Sequence, residues 1–388
     1  MTTWGEGGRV NLKRGLSPWA TTYLSRGGPH VCADVVMAGG YLTDAPTRKE
    51  QPPGDVQAFD VRTGRPPILA DLTVEGRATK AVVQLTKHGF AFVFDRLTGR
   101  PVWPIEERPV PTSDTPGEQT SPTQPFPTRP PPFERQGVSV DDLIDFTPEL
   151  RAHALELAKQ YRLGPLFTPP SIRTDTPGAT RGTVQNPGSV GGADQQGGVF
   201  DPDTHLLYVS SITAPFVADI LPGDPATTSF KYVPGLRAYP AGPQGLPLLK
   251  PPYGRITAID LNEGSIRWMV PHGSGPRDHP VLKPLNLPPL GNPGRGGLVA
   301  TKTLLFVGEG DPVVVRAGSR LPAGMPLSIA PGAGAGCFAL WTRPLAPSSG
   351  TSSCRRAPPA RRSPTWRTGS SSSSSQSGDW SIRPSSWP

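Results

Sequence analysis

Residues Phe92–Trp103 read FVFDRLTGRPVW, and this stretch decides the fold class of the chain. Two other stretches share its pattern: Val56–Gly64 reads VQAFDVRTG, and Ile256–Trp268 reads ITAIDLNEGSIRW. In each copy an Asp stands four residues before a Gly, and in the copies at 92 and 256 a Trp stands four residues after that Gly. The pattern predicts a buried strand, a tight turn and a second strand that carries the Trp.

The spacing has a physical basis in the turn. An Asp side chain accepts hydrogen bonds from nearby backbone amides, and a Gly adopts the positive φ that closes the turn. The Trp on the next strand then packs between neighbouring sheets, where its large ring buries apolar area. One D-x-x-T-G turn would indicate only a common hairpin, but three copies with matched flanks favour a β-propeller.

Three other segments complete the predicted architecture. Gly198–Ser210 reads as a variant hairpin of the same kind, and Pro104–Phe133 is an insertion too rich in proline to hold central strands. A short helix is predicted to start at Thr147 as N-cap with Pro148 at its first position, and to end near Gly164. Its packing face consists of four apolar residues at helical spacing: Leu150, Ala154, Leu157 and Tyr161.

The composition fits a turn-rich all-β domain joined to a disordered segment. Hydrophobic residues make up 35% of the 388 residues, below the usual fraction, while 45 Gly and 52 Pro make up a quarter. The net charge is +8, of which residues 341–388 supply +6 through seven Arg and one Asp. The other 340 residues carry 32 basic and 30 acidic side chains, so no nucleic-acid footprint is expected.

Cysteine usage and hydropathy exclude several other classes. Cys32, Cys337 and Cys354 are widely spaced, so they predict neither a disulfide framework nor a metal site. No run of 18 apolar residues occurs, so no transmembrane segment is expected. The first residues lack a basic stretch followed by an apolar one, and no signal peptide is expected there.

Six stretches carry further motifs, in order along the chain: KAVVQLTKHGFAFVFDRLTGRPVWPIEERPVP at Lys80–Pro111, SPTQPF at Ser121–Phe126, GPLFTPPS at Gly164–Ser171, PYGRITAIDL at Pro252–Leu261, GNPGRGG at Gly291–Gly297 and LLFVG at Leu304–Gly308. Together they resemble the PQQ (pyrroloquinoline quinone)-dependent dehydrogenases of the membrane glucose and quinate type. The resemblance runs in family order from about residue 7 to about residue 336.

The resemblance implies an eight-bladed propeller with PQQ on its axis beside calcium or magnesium. It also implies a general-base Asp, and a Lys held against the quinone oxygens, where a fixed cation stabilises the developing oxyanion. By its place in the T-K-x-G motif, that lysine is Lys87. The cofactor site implied for this chain consists of Lys87 with Thr86, Asp194, Gln195 and Ser210. Family members commonly have Asn-Trp where this chain has Asp194-Gln195, so an aromatic side chain beside the cofactor is lost.

A second departure from the family lies at Arg65-Pro66. The first repeat copy stops there, and Ile68 stands where its Trp is expected. The residues that follow resemble a segment that the family places after a W-D-x-D-L-P stretch, which contains the general base. That stretch occurs nowhere in this chain, and cation ligands are lost with it. We therefore interpret 65–66 as a deletion junction that leaves no catalytic residue, unless a carboxylate such as Asp71 has been recruited as the base.

The C-terminal segment reads as a frameshifted final blade. Trp341–Pro388 contains fifteen Ser, no Val and Ile382 as its only β-branched aliphatic residue. When its possible codons are read from Cys337 in the frame shifted by one base, they encode ALDKATGAVVW, a full copy of the repeat. In that frame Ser370–Ser375 becomes KQFIVV, a strand. Residues 1–336 are thus expected to form a partial propeller, and residues 337–388 a disordered tail.

Three functions are consistent with these residues. In the first, the chain is a PQQ-dependent oxidoreductase of a sugar, polyol or alcohol that passes electrons to a quinone, with impaired catalysis. Alternatively, it is a non-catalytic remnant that still binds PQQ, or a propeller scaffold for protein contacts without a cofactor. The resemblance also implies a periplasmic location.

Overall fold

The computed structural model describes residues 68–308, apart from 175, 177, 194–196, 236, 237, 241 and 295, and the backbone of 30–32, 35–37 and 338–342. These residues form mainly β-strands: β1 His30–Cys32, β2 Val35–Met37, β3 Ile68–Val74, β4 Arg77–Leu85, β5 Ala91–Asp95, β6 Ile105–Pro109, β7 Thr123–Pro127, β8 Ser171–Ile172, β9 Thr183–Gln185, β10 Gly198–Asp201, β11 Leu206–Ile212, β12 Phe216–Pro222, β13 Tyr232–Pro234, β14 Gly254–Asp260, β15 Ser265–Pro271, β16 Leu298–Ala300, β17 Leu304–Gly308 and β18 Phe338–Thr342.

One α-helix, α1 Pro148–Ala158, and three short 3-10 helices complete the described elements. None of the helices in this part of the chain is long and apolar enough to cross a membrane. The predominance of strands agrees with the predicted all-β class.

The segment after the proposed junction forms a three-stranded antiparallel sheet in the order β3-β4-β5. Side chains of β3 alternate between buried and exposed, as expected for a strand with one face on the core. The buried face includes Ala70, Leu72, Ala81 and Val83. Beyond β5, Val102 donates its N–H to the carbonyl oxygen of Val93 at 2.9 Å, which places a short extended segment beside β5 at the edge of the sheet.

A four-stranded antiparallel sheet, β10-β11-β14-β15, holds the most deeply buried strands. All seven residues of β11 and all seven of β14 are buried, and the two strands pair along their whole length. Residues 213–253, which connect them, contain β12 and β13. The predicted hairpin at Gly198–Ser210 is confirmed as β10 and the first part of β11.

The repeat turns have the predicted geometry. Asp95 Oδ1 accepts hydrogen bonds from the N–H groups of Leu97 and Thr98, both at 2.9 Å. Gly99 closes the turn at a φ of +71°. The same arrangement recurs at Asp260–Gly264, where the Asp accepts two amide hydrogen bonds and the Gly has a φ of +65°.

The two Trp residues of the repeat pack as expected between sheets. Trp103 is buried in a core that joins β3–β5 to β11 and β14. Trp268 packs beside Tyr208, with ring centroids 5.8 Å apart, in a second core that includes β17. The first repeat copy, residues 56–64, falls outside the described part of the chain.

The proline-rich segment holds only a two-stranded ribbon of β6 and β7, as predicted. The helix also starts as predicted: Thr147 Oγ1 accepts the N–H of Leu150 at 3.2 Å. Its expected end near Gly164 is wrong, because the helix stops at Ala158. The chain then turns away so that Arg162 donates its N–H to a backbone carbonyl beyond the helix, at Gly182.

The predicted start of the disordered tail at residue 337 also needs correction. Phe338–Thr342 forms β18, which pairs antiparallel with all five residues of β17. Its sequence, FALWT, is rich in aromatic and apolar residues that favour strands. Residues 343–388 are not among those described, so disorder there stays a prediction.

Candidate functional site

Lys87 lies in the turn between β4 and β5, and it is anchored through both its backbone and its side chain. Its Nζ donates to the carbonyl oxygen of Ser189 at 3.2 Å. Its aliphatic stem lies on Gly191, where a Cβ atom would come within 2.6 Å of Lys87 Cγ. The N–H of Gly192 donates to the Lys87 carbonyl oxygen at 2.8 Å. The ammonium group is therefore held against one loop while it remains partly exposed.

Thr86 serves the turn itself. Its Oγ1 accepts the N–H of Phe90 at 3.2 Å and lies 3.3 Å from the Phe90 carbonyl oxygen. These contacts fix the turn that presents Lys87. The hydroxyl group is thus committed to local structure, and Thr86 supports a cofactor site only through its neighbour.

Ser210 lies on β11 but on the face away from the Lys87 turn. Successive residues of a strand point to opposite faces, so Ser210 shares its face with Leu206 and Tyr208. Those two side chains pack in the core that includes β17. Ser211 points the other way and donates to Glu134. The structure therefore does not bring Ser210 and Lys87 together.

The structure does not bring Asp71 to Lys87 either. Asp194 and Gln195 lie outside the described residues. Asp71, the candidate substitute base, is exposed on β3 and forms an ion pair with Arg96 at 2.9 Å. It stands opposite Lys80 in the sheet, five residues before the end of β4, roughly 17 Å of extended strand, and Lys87 lies in the turn beyond that end.

A buried ion pair lies next to the Lys87 turn. Glu134 Oε1 and Arg255 Nη2 are 3.1 Å apart, and the two side chains are 0% and 6% exposed. The burial of Arg255 lowers its pKa from the ordinary value, while the charge of Glu134 opposes that shift. Arg255 also donates from Nη2 to the carbonyl oxygen of Pro252 at 2.7 Å. Such a pair is tolerated in a core only when further hydrogen bonds satisfy it.

Two hydroxyl groups supply those further bonds. Ser211 Oγ donates to Glu134 Oε2 at 2.7 Å, and Thr213 Oγ1 donates to Glu134 Oε1 at 2.6 Å. Thr213 Oγ1 in turn accepts from Arg255. Both carboxylate oxygens are therefore occupied by protein partners. Glu134 is thus placed to hold neighbouring parts of the protein together and not to contact a substrate.

The sequence analysis missed Glu134 and Arg255. Only Arg255 gave a signal in the sequence, because it is a charged residue in a segment whose other residues suggest a buried strand. Arg255 is the second residue of β14, whose other residues are apolar or small except for one Thr and the terminal Asp. Its partner lies 121 residues earlier, and no local pattern in the sequence joins the two.

Six aromatic rings form a row that includes two residues of the Lys87 turn. Ring centroids of successive members are 5.0–6.4 Å apart. In spatial order the rings are Phe94, Phe92, Phe90, Phe126, Phe167 and His88. Desolvation lowers the pKa of His88, and the adjacent positive charge of Lys87 lowers it further. The turn thus combines one cation with an apolar flank and a His that favours its neutral form.

A calcium or magnesium ion would need several oxygen ligands, carboxylates among them. Within the described ranges, no group of three or more His, Cys, Asp or Glu side chains is arranged to hold a metal ion. Of the residues implied for the cofactor site, the structure describes Thr86, Lys87 and Ser210, and among these only Lys87 carries a charge.

Comparison with known proteins places these features in a family. The sequence model of the PQQ glucose/ethanol/alcohol dehydrogenase β-propeller domain matches residues 1–66 and 65–320. Quinate/shikimate dehydrogenase (quinone) of Acinetobacter baylyi is 30% identical over 257 residues, which cover 61% of this chain and 31% of that protein. Quinoprotein glucose dehydrogenase A of Acinetobacter calcoaceticus is 28% identical over 299 residues, which cover 69% and 36%.

A solved europium-containing methanol dehydrogenase is also similar, with 22% identity, a TM-score of 0.33, and coverage of 63% of this chain and 31% of that one. The chain spans about a third of the length of the curated relatives that it matches. The family match covers most of the chain and includes both described repeat copies and Lys87. The chain therefore belongs to the PQQ glucose/ethanol/alcohol dehydrogenase β-propeller family.

Proposed function

We propose that this chain binds PQQ through Lys87 and oxidises substrates weakly or not at all. When bound, PQQ supplies a quinone that accepts a hydride from an alcohol. The part left to the protein is to place a cation beside the quinone oxygens and a base beside the substrate hydroxyl. Lys87 supplies the first of these, and the second is missing.

The anchored position of Lys87 is the observation that carries the proposal. Among the described residues, its Nζ has one hydrogen-bond acceptor, the carbonyl oxygen of Ser189. The close contact with Gly191 restricts the stem before any ligand arrives. Such restriction lowers the entropy cost of binding. An ammonium group preset in this way suits the oxygens of an anionic quinone.

The loss of the general base is supported by the way the family match divides. Its two matched segments, 1–66 and 65–320, meet at Arg65-Pro66, where the sequence departs from the family order. A positioned base typically contributes about 10²–10⁴ in rate. The cation ligands expected in the same missing stretch would have held a polarising charge as well.

Titration of the full-length chain with PQQ, with calcium present, tests the proposal. We expect saturable binding, measured by calorimetry or by the PQQ absorption band. The Lys87→Ala variant should bind more weakly. Lys80→Ala is the matched control, since Lys80 is an exposed lysine on β4, in the same hairpin as Lys87. Equal affinity in all three proteins would contradict the role of Lys87.

A scaffold without a cofactor is the second candidate function. The hydroxyl group of Thr86 is bonded within its own turn, and Ser210 lies on the face of β11 away from Lys87. Both observations favour this candidate, because Lys87 is then the only charged contact that the described predicted residues offer PQQ. Absence of PQQ binding to the wild-type chain would select this candidate. If the first candidate holds, a sugar, polyol or alcohol as substrate, a quinone as electron acceptor and a periplasmic location remain proposals drawn from the family.

A further inference from the structure

The buried pair Glu134–Arg255 touches the two loops that hold Lys87. A Cβ atom at Gly89 would lie 2.9 Å from Glu134 Cβ, and one at Gly192 would lie 2.7 Å from Glu134 Cγ. The stem of Glu134 therefore fills the space between the Lys87 turn and the loop that accepts the Lys87 ammonium group.

The carboxylate group of Glu134 connects these two loops to the β10-β11-β14-β15 sheet. It accepts hydrogen bonds from Ser211 and Thr213 at the end of β11, and it pairs with Arg255 on β14. Gly192 is linked to that sheet independently, because its carbonyl oxygen accepts the N–H of Ile212 at 2.7 Å. Two loops and two strands thus converge on one buried anion.

We infer that Glu134 is a positioning residue for Lys87: paired with Arg255, it fixes the turn and the loop so that the ammonium group stays beside the Ser189 carbonyl and faces a cofactor. This inference rests on the proposed function, since it gives Lys87 a ligand to meet. Glu134 itself would touch no ligand, because both of its oxygens are occupied by protein donors.

Selective acylation of lysines tests the inference without PQQ. In the wild-type chain the restrained Lys87 should react more slowly than Lys80 with a limiting amine reagent, measured by peptide mass spectrometry. Glu134→Gln should raise the ratio of Lys87 to Lys80 acylation. The substitution leaves Arg255 buried without a charge partner, which is strongly unfavourable. A second variant, Glu134→Gln with Arg255→Met, removes both charges and keeps the test available if the first does not fold.

Leu150→Ala is the control for a general loss of stability. Leu150 is buried in the helix core, and neither Glu134 nor Lys87 belongs to that core. Its loss should lower the melting temperature and leave the acylation ratio unchanged. An unchanged ratio in the folded Glu134 variants, or an equal rise in Leu150→Ala, would overturn the inference.

PQQ titration of the same variants separates this inference from the proposed function. If the wild-type chain binds PQQ, the double variant should lose about tenfold in affinity, the lower end of what loss of a supporting residue costs at a metal ligand. If it binds no PQQ, the proposed function fails, and the acylation ratio still decides whether Glu134 positions Lys87.

Discussion

The indole ring of Trp103 lies directly against Gly264. A Cβ atom at Gly264 would come within 2.9 Å of Trp103 Cζ2. The Trp of one repeat copy therefore packs on the turn glycine of the next copy in the described part of the chain. The repeat thus specifies the contact between sheets as well as each sheet's own hairpin.

Gly264→Ala should lower the free energy of unfolding more than Gly99→Ala, the same change in the preceding repeat copy. Gly99 and Gly264 both have positive φ, so Ala at either is expected to lose about 1–2 kcal/mol of unfolding free energy. Nothing lies within 4 Å of a Cβ at Gly99, whereas one at Gly264 meets Trp103 and Arg129. Gly264→Ala should therefore lose roughly 1–3 kcal/mol more, as overpacked sites do. Equal losses in urea unfolding would contradict the contact.

Stability should fall at acidic pH partly through Asp95. The backbone amides of Thr98 and Leu97 lower the pKa of this carboxyl group from its ordinary value. The folded state then binds the proton less tightly than the unfolded state, so the stabilisation is present above about pH 4 and is lost as pH falls through the lowered pKa. Asp95→Asn should reduce the slope of unfolding free energy against pH in this range. Identical slopes in the two proteins would refute the assignment.

The chain should not turn over the substrates of its relatives. With PQQ and calcium in excess, we expect no PQQ-dependent dye reduction above background with glucose, quinate or simple alcohols. This expectation rests on the proposed loss of the general base, because a cation such as Lys87 cannot accept the hydroxyl proton. PQQ-dependent turnover would show that another carboxylate has been recruited. Asp71→Asn would then test the exposed candidate, which the structure places far from Lys87.

Two truncations should distinguish the contribution of β18 to stability from that of the residues that follow it. Deletion of residues 343–388 is expected to leave the melting curve unchanged, since a segment rich in Ser, Arg and Pro buries too little apolar area to offset its ordering entropy. Deletion from residue 337 should lower the melting temperature, because it exposes the edge of β17. A large loss of stability from the shorter deletion would contradict the frameshift interpretation. The gene sequence offers a second test, because its shifted frame must encode the missing repeat.

Local features of the fold were predictable from the sequence, and the reasons are physical. The turns at Asp95 and Asp260 and the start of α1 depend on residues within four positions of each other. The end of α1 was not predictable in the same way, because the chain leaves the helix to pair with Gly182. β18 was missed because the segment from residue 337 was interpreted as a frameshifted, disordered tail, although FALWT has the composition of a strand.

A short motif marks Lys87, so the sequence alone was enough to propose it for the cofactor site. The sequence could not show which face of β11 carries Ser210, because a shift of one residue along a strand exchanges its two faces. The adjacent Ser211 is the residue that reaches Glu134. The pairing of Glu134 with Arg255 depends on strands and loops from three parts of the chain, and one sequence without its fold contains no signal for such a contact.

The connection between β11 and β14 has a kinetic consequence. These two strands make the most deeply buried pairing, yet residues 213–253 separate them along the chain. Contacts across such a separation form after the loop-closure entropy has been overcome, so they slow folding relative to adjacent hairpins. We expect β3–β5 and the β14–β15 hairpin to form early, and the β11–β14 pairing to complete in the rate-limiting step. A covalent cross-link that shortens this connection should therefore accelerate refolding more than one placed within either hairpin.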